Sequence, residues 1–170
     1  MNIVLKNANF KDTAVEQKTS IPLLDRNLSA MGNSVWANNN SNYITIKEDD
    51  NLACVGHIIT GFRLKIVNSG YNVTAVLLQY DETKGSGKTT VKVKTLEVFT
   101  PKATGVQEFT FKKPIFIDDV HTKIGFAQTA GLAYDDAHPY GMIIVTPSTN
   151  TWDSWYNVGY PCMEFLGYKL

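Results

Sequence analysis

The chain has 170 residues, 44% hydrophobic and 19% charged, with 16 Lys and Arg balancing 16 Asp and Glu. That size fits one soluble domain around one core, and zero net charge excludes the basic excess of a nucleic-acid binder. No stretch approaches the roughly 20 consecutive apolar residues of a membrane span, and the apolar run in Met1-Asn2-Ile3-Val4-Leu5-Lys6 is too short for a secretory signal.

In chain order, residues 13–19 are the best short helix candidate, stopped soon after by Pro22. Residues 25–43 form a long polar loop holding Asn27, Asn33, Asn38, Asn39, Asn40 and Asn42. A connection of that length inside a compact domain is usually functional, disordered or a contact arm, and Trp36 within it is a candidate anchor. From residue 43 onward the dominant pattern is period 2, the mark of strands with one buried face. Ile44 and Ile46 alternate with Thr45 and Lys47, and Phe62, Leu64 and Ile66 alternate with Arg63 and Lys65.

Residues 73–80 are apolar on both parities, which predicts a central strand covered on both faces. Residues 84–89, Lys-Gly-Ser-Gly-Lys-Thr, resemble the end of a phosphate-binding loop. The spacing fails, because the position that needs the first glycine holds Glu82, and Thr90-Val91-Lys92-Val93 reads as strand rather than helix. This is a hairpin tip. In the next strand, 90–99, Val91 and Val93 share one parity while Leu96 and Val98 share the other, so a bulge is expected near Thr95. Residues 107–117 place Phe109, Phe111, Ile115 and Ile117 on one face, and further strands are expected at 123–128, 140–146 and 162–170. About eight to ten strands without crossover helices predict an all-β fold, an antiparallel β-sandwich of jelly-roll type in a single domain spanning 1–170.

Few residues arrange themselves for chemistry. The pairs Asp49-Asp50, Asp118-Asp119 and Asp135-Asp136 lack the alternation of a calcium loop and read as solvated turns. His57, His121 and His138 stand apart from any nucleophile, so no acid–base pair or triad emerges, and no cofactor or metal site is expected. Cys54 and Cys162 are too few for a disulfide scaffold and lack metal-ligand spacing. Between residues 84 and 113 seven lysines face only Glu97 and Glu108, which suits a strand edge defended against pairing or a face for an acidic partner. Sequons begin at Asn27, Asn39 and Asn72 but mean little without a secretory signal.

The densest aromatic group is Trp152-Asp153-Ser154-Trp155-Tyr156, followed by Tyr160. Such a cluster either stacks on sugar rings, caps the core, or buries itself against another subunit. Trp36, Trp152, Trp155, Tyr156 and Tyr160 are therefore the candidate subunit or glycan contacts.

The opening Asn2-Ile3-Val4-Leu5-Lys6-Asn7-Ala8-Asn9-Phe10 resembles the start of structural proteins from tailed phages of gut Bacteroidales, crAss-like phages included. The resemblance covers about ten residues and implies a short N-terminal strand at 1–10 leading into a β-sandwich. It further implies a virion component, an auxiliary capsid or head- or tail-fibre subunit, assembled as a homo-oligomer with other virion proteins in the host cytoplasm. The leading expectation is thus a non-enzymatic structural protein with neither nucleic acid nor membrane as partner. The alternative is a carbohydrate-binding module that grips surface glycans with the 152–160 loop.

Overall fold

The computed structural model describes residues 18–35, 42–46, 48–81, 90–137, 142–146, 151–153 and 159–170. The fold is all-β and sandwich-like, as the period-2 pattern predicts. Thirteen strands are present among the described residues: β1 (Ile21–Pro22), β2 (Ser34–Val35), β3 (Tyr43–Ile46), β4 (His57–Ile66), β5 (Val73–Asp81), β6 (Thr90–Phe99), β7 (Gly105–Ile117), β8 (Thr122–Ala127), β9 (Ala133–Asp135), β10 (Met142–Thr146), β11 (Thr151–Asp153), β12 (Tyr160–Pro161) and β13 (Met163–Lys169). Every named strand pairing is antiparallel. The expected strand at 1–10 and residues 13–17 of the helix candidate lie outside the described residues. So do the six residues 36–41 of the Asn-rich loop. The part of that loop that is described is not plain coil, because it contains β2 and the buried Leu28.

One layer is a four-stranded sheet in the order β1-β13-β4-β7. The other closes into a ring, β10-β11-β6-β5-β8-β3, and a small third sheet runs β12-β9-β2. The two large layers share a core to which β4 contributes Ile59, Phe62, Leu64 and Ile66 and the ring contributes Ile44, Ile46, Val73, Ala75, Ile124 and Phe126. Phe62 is its centre, with ring centroids 4.7 Å from Phe126, 5.0 Å from Phe99 and 5.2 Å from both Phe109 and Phe111.

Ring closure explains why β5 is apolar on both parities. Val73 and Ala75 join the shared core, while Val76 and Leu78 are equally buried on the opposite face, which the ring turns inward. Thr45 and Lys123 are also fully buried on that inner face. Thr45 Oγ1 donates to Ile124 O at 2.7 Å, and Lys123 Nζ donates to Ile46 O at 3.4 Å. Gly125 is required there, because a Cβ would stand 2.8 Å from Leu78 Cδ1 and 2.9 Å from Ile44 O.

The bulge expected near Thr95 is present: Ala75 pairs with Glu97 and Val76 with Thr95, leaving Leu96 as the extra residue. Its consequence differs from the sequence parity. The bulge turns Glu97 and Phe99 to the face of Val73 and Ala75, and Val98 is left 53% exposed. A second irregularity in β7 sets Thr60 alone against the four residues from Phe111 to Pro114. There the Lys112 N–H and Nζ both donate to the Glu97 carboxylate, each at 3.1 Å. These bonds hold the Glu97 carboxyl below the usual range and link ring to sheet. β7 is an edge strand, and Lys112, Lys113 and Pro114 on it are exposed, a composition that discourages pairing with other chains.

The glycine-rich residues 84–89 lie outside the described residues; the strands on either side pair antiparallel up to Asp81 and Thr90. The Asp49-Asp50 pair, expected in a turn, sits in the five-residue helix α1 (Glu48–Leu52). Among the described residues, no helix is long and apolar enough to cross a membrane.

Candidate functional site

Tyr160 joins a polar cluster between the N-terminal segment and the last strands. The Arg26 guanidinium lies over its ring, 4.0 Å from the centroid, and its hydroxyl donates to Asp50 Oδ2. Arg26 Nη2 also meets Asp50 Oδ2 at 3.0 Å, and Nη1 donates to Met163 O at 3.0 Å. Burial, reinforced by the hydrogen bond to Asp50, raises the Tyr160 phenol above its ordinary range. One ring face and the hydroxyl of Tyr160 are thus engaged within the chain.

Beneath this cluster Glu164, only 1% exposed, accepts three backbone N–H bonds: from Leu23 at 3.2 Å, Leu24 at 2.8 Å and Arg26 at 2.8 Å. Between those donors Asp25 adopts a left-handed φ of 52°, a conformation that Asp tolerates better than most residues. The carboxylate therefore moulds a turn that the local sequence does not favour unaided.

The reading of the acidic pairs as solvated turns needs correction. Asp119 does behave so, its Oδ1 accepting from the N–H groups of His121 and Thr122. Asp50 is instead held by Arg26 and Tyr160, and Asp135 is buried in β9. Among the described residues, no three His, Cys, Asp or Glu side chains gather as a metal site.

Both cysteines are free and buried. Burial, with Glu164 adding to it, pushes the Cys54 thiol up to about 12, and burial pushes Cys162 up to about 11 against the opposing charge of Lys65. At pH 8 about a thousandth or less of either thiol is ionised. Native protein treated with iodoacetamide at pH 8 is expected to stay unmodified by mass spectrometry and to gain two adducts after unfolding in urea. A native adduct would contradict the burial. Because the folded thiols titrate above their unfolded value of 9.0, their contribution to stability is complete below about pH 9 and is lost as pH rises toward 11 and 12.

Of the other aromatic candidates, Trp36, Trp155 and Tyr156 lie outside the described residues. Trp152 lies on β11, where its backbone pairs with Val145 of β10. The structure points instead to a cleft of about 420 Å³ lined by Tyr43, Gly70, Tyr71, Asn72, Thr74, Ala127 and Thr129. Tyr43, Ala127 and Thr74 belong to β3, β8 and β5, and the other four to the two loops flanking these strand ends. The loops are clamped together. Val67 N–H donates to Gly131 O at 2.9 Å between the two loops, while the bonds from Gly70 N–H to Asn68 Oδ1 at 2.9 Å and from Thr100 Oγ1 to Asn72 Oδ1 at 3.1 Å brace the first of them. Gly131 permits the approach, since a Cβ there would stand 2.9 Å from Asn68 O and 3.0 Å from Tyr71 Cβ. Sequence reasoning missed this cleft because its two tyrosines are 28 positions apart (71 minus 43), and neither belongs to a local cluster.

Comparison of the chain with protein-family models, with curated proteins and with solved structures finds no match.

Proposed function

We propose that the chain is a non-enzymatic structural subunit that acts through protein–protein contacts. The setting is the one its first ten residues suggest, the particle of a tailed phage assembled in the host cytoplasm. The observation that carries this reading is the outer face of the four-stranded sheet, where Phe116 pairs with Ile58 and Ile58 with Tyr168. This row crosses three strands and ends on edge strand β7, with Phe116 48% exposed and Val106 39% exposed on the same strand. An apolar row on an exposed sheet face suits burial against a second copy. The polar clusters support the same reading, because Glu164, Arg26 and Asp50 are engaged in holding segments of the chain to one another.

Sedimentation analysis across a concentration series tests it. The wild type is expected to self-associate, and Phe116→Asp to shift it to monomer with an unchanged circular dichroism spectrum. A wild type that stays monomeric at millimolar concentration would remove the proposal. A second reading, recognition of a glycan, is favoured by the Tyr43–Tyr71 cleft, and the two functions are compatible in one subunit.

A further inference from the structure

We infer that the cleft between the β3, β5 and β8 strand ends and the two adjoining loops is a binding subsite for a neutral saccharide. Tyr43 and Tyr71 are its ring-facing contacts. The inference rests on the glycan reading and is independent of the subunit reading.

Four observations converge on this ligand chemistry. The seven lining residues carry no formal charge, which disfavours phosphate, sulfate and uronic acids and suits an uncharged polyol. Two half-buried tyrosines offer aromatic faces of the kind on which the apolar C–H face of a pyranose packs, together with hydroxyls that exchange hydrogen bonds with its rim. Around them stand the groups that read sugar hydroxyls, namely the Asn72 amide and the Thr74 and Thr129 hydroxyls. The Asn72 amide is oriented by the bond from Thr100. Thr129 is 3% exposed, and its Oγ1 accepts from Gly131 N–H at 3.2 Å, an arrangement that keeps the hydroxyl proton available to donate. Finally, a volume of about 420 Å³ falls within the roughly 300–1,000 Å³ typical of small-molecule sites.

The site is pre-formed, because its walls are strand ends and loops already tied by the Val67–Gly131 backbone hydrogen bond and braced by the Thr100–Asn72 bond. Little ordering is needed when a ligand arrives, which favours affinity from a modest contact area.

The test is a titration of isotope-labelled full-length protein with cellohexaose, maltohexaose, xylohexaose, mannohexaose and chitohexaose, followed by amide NMR. At least one probe is expected to move the amides of residues 42–43, 70–74 and 127–131 in a saturable way. Tyr71→Ala is expected to weaken that probe about tenfold, the effect of one lost aromatic stack. Tyr71→Phe, which keeps the ring, is expected to stay within about threefold of wild type. No saturable shift with any probe would overturn the glycan reading and this site together. Shifts confined to residues 152–160, or binding indifferent to Tyr71→Ala in a variant whose spectrum stays folded, would overturn the site assignment alone. The sedimentation result for Phe116→Asp is unaffected by either outcome.

Discussion

Phe62→Ala is expected to cost about 3–5 kcal/mol of stability, enough to lower the melting temperature by roughly 6–20 °C in a domain of this size. The residue is fully buried, and its ring lies within 5.2 Å, centroid to centroid, of Phe99, Phe109, Phe111 and Phe126. Those partners come from β6, β7 and β8, so truncation opens a cavity where the sheet and the ring meet. Neither layer collapses into that space easily, because hydrogen-bonded pairs hold β4 on both sides and the ring is closed. Phe62→Leu keeps most of the volume and is expected to lose less than half as much. Urea unfolding monitored by circular dichroism measures both. A loss below about 1.5 kcal/mol for the alanine variant would mean that the cluster is less tightly packed than the ring distances imply.

Glu164→Gln is the second large effect, expected at about 1–3 kcal/mol. The carboxylate is buried, and the groups that grip it are backbone donors, from Leu23, Leu24 and Arg26. An amide supplies one oxygen and two further donors, so at least one N–H in the turn would face an N–H and lose its acceptor. Hydrogen exchange locates the damage: the amides of residues 23–26 are expected to exchange far faster in the variant, while those of β5 and β8 keep their relative protection. Equal protection of residues 23–26 in both proteins would show that another contact holds the turn.

The strands were legible because their cause is local. Alternation in Phe62-Arg63-Leu64-Lys65-Ile66 and in residues 107–117 reports which face meets the core, and every strand expected from residue 43 onward is present. Even the β6 bulge was readable from the parity change around Thr95, although which residues it would turn inward was not. Ring closure was not legible, since it depends on β3 of residues 43–46 meeting β10 of residues 142–146. The buried role of Glu164 was hidden for a related reason. Between Met163 and Phe165 it occupies the solvent-facing parity of β13, and only the return of residues 23–26 over that face removes it from water. The cleft was invisible because no single segment carries more than a few of its groups. Local aromatic density drew attention to residues 152–160, and the residue of that group that is described in full, Tyr160, is occupied by Arg26 and Asp50.

The β1–β13 pairing has a mechanical consequence. Ile21 pairs with Gly167 and Pro22 with Leu166 in antiparallel sense, and Lys18 Nζ reaches Lys169 O at 2.8 Å, so the two ends of the described fold leave it side by side. A load that pulls those ends apart would act across the pairing and peel it open one bridge at a time, the geometry of a zip, in which bonds break singly at low force. Peeling would then reach the three-bond grip of Glu164, where several bonds must break together. The molecule would therefore yield softly over its first few residues and then stiffen, as an extensible tether does that gives slack before it bears tension.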